Sequence, residues 1–167
     1  MEASLEQIKE LRELTGAGIM DCKKALAQSG GNIAKAQEIL KAKGIASAAK
    51  KASRDAKDGL IDCYIHSGGR VGAIVEINCE TDFVARTEQF KQLAHDVAMQ
   101  VAAMAPIYVD KAQIPAGDTS KPQEVCLLQQ TFIKDSSKTV QDLINEVVAK
   151  VGENVRVRRF TRFSIGD

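Results

Sequence analysis

The side chains suited to covalent chemistry are few: four cysteines (Cys22, Cys63, Cys79, Cys126) and two histidines (His66, His95) among 167 residues. The cysteines stand far apart, with no CxxC pair, and no Cys/His cluster has the spacing of a structural zinc site. Cys63 and His66 are three positions apart on a predicted strand, so their side chains leave on opposite faces and cannot form a thiol–imidazole pair. No GxSxG, P-loop or GxGxxG pattern occurs, and paired carboxylates fall only on predicted helix surfaces. Covalent catalysis therefore has no constellation to carry it, and neither metal nor cofactor is expected.

Three other stretches offer contact rather than catalysis. The last predicted strand, NVRVRRFTRF, carries Arg156, Arg158, Arg159 and Arg162 interleaved with Phe160 and Phe163. That pattern suits an RNA-facing surface, or a charged sheet edge whose arginines pair within the chain. Strict alternation would bury Arg159, and a bulge near Arg158–Arg159 would place Phe160 on the core face instead. In GAGIMDCKKAL the helical period turns Ile19, Cys22 and Leu26 inward and leaves Met20 and Lys23 outward beside a Gly-rich turn. Arg12, one position off the apolar stripe of the preceding helix, joins that patch, and an exposed Met suits a partner's apolar groove.

The third stretch, NCETDFVAR, ends a strand-like run with Asp82 beside Phe83, in a chain with only five Phe, two Tyr and no Trp. Two readings stay open. Asp82 as a helix N-cap and Phe83 as core is one; an exposed tip whose aromatic anchors in a partner's pocket is the other. The following helix already has a complete apolar face without Phe83.

These stretches need elements to position them. Ser4 with Gln7 forms a capping-box start, followed by Leu5, Ile8, Leu11 and Leu14 at helical spacing. A second helix runs from about residue 19 to 29. Asn32 caps a third, with Ile33, Ala36, Ile39 and Leu40 inward and Gly44 as its terminator. Residues 1–44 make a three-helix bundle, and the Ala- and Lys-rich stretch 45–58 a helical linker. From Gly59 the period changes to two: Ile61, Cys63 and Ile65 alternate with Asp62, Tyr64 and His66, and SGGR marks a hairpin to a returning strand, 71–78. A helix over 88–104, a loop holding all three prolines, a strand over 125–133, a helix opened by Thr139 and Asp142, and a strand over 154–165 follow. The fold class is α+β: a bundle, a linker, and over 59–167 an antiparallel sheet with helices on one face.

Composition bounds the partners. Lys and Arg total 23 against 22 acidic residues, so no global field draws the chain onto polyanions, and direct nucleic-acid binding is not expected. No apolar run approaches the roughly 18 residues of a membrane span. The amino terminus, MEASLEQIKEL, is acidic and amphipathic, unlike a secretory or transit segment, and the expectation is a cytoplasmic protein with reduced thiols.

Three stretches together resemble one family. LRELTGAGIMDCKKAL is similar to the amino-terminal signature of the elongation factor Ts family, VEINCETDFVAR to its second signature, and KVGEN…RRF to a third. The resemblance runs in order along nearly the whole chain. It implies a guanine-nucleotide exchange factor for the translational GTPase elongation factor Tu, not a covalent catalyst, with a ubiquitin-associated-like bundle docking on the GTPase. It further implies that Asp82 and Phe83, with Thr81 and Val84 of the same motif, enter near the magnesium and phosphate site. Phe83 would wedge between GTPase helices and Asp82 would disturb the network around magnesium. Arg12, Met20 and Lys23 match GTPase-touching positions, Val151 and Gly152 a loop near the nucleotide, and His66 a GTPase-facing histidine. Longer members carry two core subdomains where this chain has room for one. Short members of this pattern form homodimers, and even against those the loop 106–122 looks truncated. The competing reading is a ubiquitin-associated-like or RNA-binding adaptor without exchange activity.

Overall fold

The computed structural model describes residues 3–166. Helix α1 (Leu5–Thr15) begins with a complete capping box: the Ser4 hydroxyl accepts the Gln7 N–H while the Gln7 side chain accepts the Ser4 N–H. It ends at Gly16, whose φ of 63° is a left-handed stop. Helices α2 (Ile19–Gln28) and α3 (Ile33–Lys51) follow, α3 capped by Asn32 accepting the Lys35 N–H. Ile8, Leu11, Cys22, Ala25, Leu26 and Ala36 form a small core.

The helical period overcounted that core. Leu5, Leu14 and Ile19, expected inward, are 78%, 58% and 55% exposed. Each stands at or next to the end of its helix, beyond the reach of the crossing helices. Gly44 is also not a terminator. Helix α3 runs through it to Lys51, because Gly44 is buried where α3 lies on a later helix, α7 (Val140–Val151). A Cβ there would already meet the Ala149 Cβ at 3.6 Å. Lys41 adds an ion pair to Asp142 across the same contact at 3.5 Å.

Strands β1 (Asp58–Ile65) and β2 (Val71–Cys79) form an antiparallel hairpin, with Gly68 and Gly69 both at positive φ in its turn. After β2 come a one-turn helix, α4 (Asp82–Ala85), and the long α5 (Glu88–Met104). A further strand, named β5 below, covers Arg156–Ser164 and pairs antiparallel with the free side of β2, giving the order β1-β2-β5. Ala73, Val75 and Ile77 of β2 meet Phe90, Val97 and Val101 of α5 in the larger core, with α7 beside them. The fold is α+β, helices on one face of an antiparallel sheet.

The faces of β1 are the reverse of those expected. Leu60 and Tyr64 pack on the core, while Ile61 and Ile65 are 68% and 63% exposed and Cys63 is exposed. Both sets of alternate positions in β1 carry apolar groups. The register with β2 chooses between them, since Cys63 pairs with the outward Ile74. In β5 the register jumps from Glu76↔Arg159 to Ile77↔Val157, leaving Arg158 as an extra residue. This bulge puts both Val157 and Phe160 on the core side.

The strand expected over 125–133 does not form as one piece. Pro122–Val125 make a helical turn, α6, favoured by Pro at its first position. A 3-10 turn covers Leu127–Gln129. Cys126 makes an isolated parallel bridge to Tyr108, and the one stretch that forms a strand is Thr131–Phe132 (β3), paired with Asp135–Thr139 (β4) in a hairpin separate from the main sheet. Buried Gln130 explains the break: its side chain bonds Gln100 at 3.2 Å and the Glu124 carbonyl at 3.0 Å, filling a polar slot no regular strand would serve.

Candidate functional site

The corner between β2 and α5 is the most exposed aromatic position of the larger core region. Phe83 is 77% exposed, whereas Phe90, in the next helix, is fully buried. Asp82 is not an N-cap: Thr81 holds that position in extended backbone, and Asp82 is the first residue of α4. The Asp82 carboxylate instead faces Arg86 one turn on, at 2.8 Å. Val84 and Ala85 are buried and fasten α4 to the core, so Asp82 and Phe83 are left on its outer side. The true cap of α5 is Thr87, which accepts the Phe90 N–H.

A second turn holds this corner. Gly152, at φ 77°, ends α7 and sends the chain back toward β5. Glu153 then accepts the N–H groups of Glu80 and Thr81 on one carboxylate oxygen, both at 3.0 Å, and the Thr81 hydroxyl on the other at 2.6 Å. Glu80 returns the contact by accepting the Asn154 N–H at 2.6 Å. Below them the Cys79 thiol donates to the Thr81 carbonyl at 3.1 Å. Burial, then the nearby Glu153 and Asp58 carboxylates, push that thiol's pKa up to about 11. Glu80, Glu153 and Asn154 stand inside the signature stretches, but the sequence assigned them no role, because their partners lie more than seventy positions away.

Arg12 and Met20 line one cleft together with Gln89 of α5 and Lys150 of α7. The patch on the α1–α2 turn is thereby continuous with the first turn of α5 and the last turn of α7. Lys23 is exposed on α2 outside that cleft, Val151 is half-buried and Gly152 exposed. His66 is set apart. It follows the far end of β1, where Ile65 pairs with Gly72, while the corner adjoins the end where Asp58 pairs with Cys79. Eight strand residues separate these ends by about 25 Å. His66 there contacts the Tyr64 hydroxyl at 3.1 Å.

The arginine strand is largely occupied within the chain. Arg159 donates to Glu76 at 2.6 Å, Arg158 lies 3.6 Å from the same carboxylate, Arg156 donates to the Ala56 carbonyl, and Arg162 to the Ala102 carbonyl. The hydrogen bond from Arg159, foremost, holds Glu76 below the usual carboxylate range. Among the described residues no helix is long and apolar enough to cross a membrane.

The family model described as Elongation factor TS matches residues 2–122 and 119–167, its two stretches meeting in the Pro-rich loop. Elongation factor Ts of Thermotoga petrophila is 50% identical, the comparison covering 100% of this chain and 98% of the relative. That of Thermotoga maritima is 49% identical with the same coverage. That of Desulforamulus reducens is 50% identical over 99% of this chain and 90% of the relative. The Thermotoga alignments extend over 195 positions against 167 residues here, so those relatives carry segments this chain lacks. Matched from end to end, with an exposed TDFVAR corner and a GAGIM turn opening on a shared cleft, the chain belongs to the elongation factor Ts family.

Proposed function

We propose that this protein is the guanine-nucleotide exchange factor of elongation factor Tu and acts in the cytoplasm by inserting Asp82 and Phe83 near the magnesium and phosphate site of that GTPase. The observation that carries the reading is the 77% exposure of Phe83 on a corner whose backbone is pinned from two sides. A large apolar ring held in water on a fixed corner gains free energy when a partner's pocket covers it. The acid beside it is placed to compete for the cation's ligands. Arg12, Met20 and Lys23 dock the bundle on the GTPase, with Val151 and Gly152 toward the nucleotide side.

No bond is made or broken. An exchange factor binds the nucleotide-free GTPase more tightly than the GDP-bound form, and by reciprocity GDP binds more weakly to the complex by the same factor. The test is release of labelled GDP from elongation factor Tu with and without the protein. Acceleration by wild type that Phe83→Ala abolishes supports the reading; equal acceleration by both overturns it.

The second copy belongs to the same proposal. Ile61, Cys63, Ile65, Ile74 and Phe163 make a continuous apolar face on the outer side of the sheet. An uncovered face of this kind marks an association surface. We assign it to a homodimer, in which His66 of the second copy supplies the GTPase contact that the first chain, with its His66 at the far end of β1, does not reach beside Phe83.

A further inference from the structure

Helix α4 has four residues, too few to hold its own shape in water. Its cap residue, Thr81, makes no side-chain bond to the helix it caps. The direction in which Asp82 and Phe83 point is therefore not set by α4 itself. Contacts outside it set that direction: Val84 and Ala85 sunk in the core, the Cys79 thiol donating to the Thr81 carbonyl, and Glu153 accepting from residues 80 and 81.

The Glu153 contact has the geometry of a clamp. One carboxylate oxygen takes two successive N–H groups, those of Glu80 and Thr81, and this fixes the orientation of the peptide units just ahead of Asp82. The second oxygen takes the Thr81 hydroxyl and so prevents rotation about that axis. Charge-assisted bonds of this kind are about twice as strong as neutral ones. The clamp is itself anchored. Asn154, next to Glu153, is buried, donates its side-chain amide to the carbonyls of Ala52 and Arg54 at 3.4 and 2.8 Å, and gives its backbone N–H to Glu80. Arg54, just past the end of α3, also lies 3.6 Å from Glu80. The corner, the turn after α7 and the end of the bundle's last helix thus meet in one knot.

The geometry points to Glu153 as a positioning residue for exchange: it holds the Glu80–Thr81 backbone so that Asp82 and Phe83 enter the GTPase ready-aligned. This rests on the exchange reading given above. Glu153 touches no partner atom in that account and acts only through residues 80 and 81. Loss of the clamp leaves Phe83 exposed but unaimed, so docking persists while the exchange step suffers.

The test uses the full chain with Glu153→Ala, Glu153→Gln and Phe83→Ala. Backbone amide hydrogen exchange is read on the free protein, and GDP release from the GTPase across a range of exchange-factor concentrations. Glu153→Ala is expected to lose protection at the Glu80 and Thr81 amides. Its release rate at saturation is expected to fall about tenfold to a hundredfold, as for other misplacements of about 1 Å, with little change in the half-saturating concentration. Glu153→Gln keeps a carbonyl acceptor for both N–H groups and an amide able to donate to the Thr81 oxygen, so it should recover most of the rate. Thr81→Val and Thr81→Ser provide the same contrast at the other end if Glu153→Ala fails to fold: the valine slows release and the serine restores it. Full-rate release by Glu153→Ala, or unchanged amide protection in it, overturns the inference. If Phe83→Ala releases GDP as fast as wild type, the exchange reading itself falls and takes the positioning role with it, while the amide data still report whether the clamp holds the corner.

Discussion

Phe83 and Phe90 stand on consecutive helices in opposite environments, Phe83 77% exposed and Phe90 without exposed surface among Val75, Ile77 and Val97. Truncation separates their roles. Phe90→Ala should cost about 3–5 kcal/mol of stability, the range for a buried Phe. Phe83→Ala should melt within a degree or two of wild type and yet slow GDP release severely. Thermal melts and exchange assays on both variants decide it; an early-melting Phe83→Ala that exchanges normally would contradict the exposed corner.

Asp82 gives a finer test. As the first residue of α4 with only an exposed ion pair to Arg86, it adds little to stability, since surface pairs contribute about 0–1 kcal/mol. Asp82→Ala should therefore fold as wild type and exchange more slowly. Excess magnesium should oppose exchange by wild type if the carboxylate loosens the cation. Insensitivity to magnesium in both proteins would remove Asp82 from that role.

Docking and exchange should separate by site. Arg12→Glu, Met20→Ala and Lys23→Glu are expected to raise the concentration of protein needed for half-maximal release and to leave the saturated rate near wild type. Point changes serve better here than removing residues 1–44, because α3 runs unbroken past Gly44 and packs on α7. A fall in the saturated rate with unchanged half-saturation would assign these residues to the exchange step instead.

The outward sheet face predicts self-association. Sedimentation at micromolar concentration should give about twice the chain mass. Phe163→Asp, with a charge on the β5 side of the face, across Gly72 from Ile65, should give the chain mass at the same concentration. A wild-type monomer with full exchange activity would remove the need for a second copy.

Cysteine reactivity and pH report the corner independently. Cys79, buried beneath Thr81 with its pKa raised to about 11, should not react with a maleimide at neutral pH, whereas Cys63, exposed on the single chain, should react in the Phe163→Asp form. Because the folded-state value lies above the ordinary thiol value of 9.0, the folded form holds this proton more tightly than the unfolded one. The contribution of Cys79 to stability is then complete below pH 9.0 and is lost as pH rises toward about 11. A Cys79→Ser variant should lose less stability than wild type over that alkaline interval.

What the sequence determined by itself was local. The capping boxes at Ser4–Gln7 and Thr139–Asp142, the α5 span from Glu88 to Met104, the stop at Gly152 and the Gly-Gly turn of the β1–β2 hairpin all follow from residues within a few positions of one another. The family was legible for a related reason, since its signature stretches are contiguous. The bulge at Arg158 was also within reach, because strict alternation would have buried a guanidinium.

Tertiary structure decided whatever required choosing between two locally equal options. Leu60 and Tyr64 compete with Ile61, Cys63 and Ile65 for the core, and only pairing with β2 under α5 settles which set is covered. Gly44 stops a helix in isolation but admits one when α7 lies against it. Phe83 was balanced between core and tip until Val84, Ala85 and Phe90 filled the space beneath it. The two ends of the Glu153 clamp lie in separate signature stretches, but nothing local joins them: a carboxylate finds N–H groups seventy-odd residues away only after β2, α7 and β5 have been brought together by the core they share.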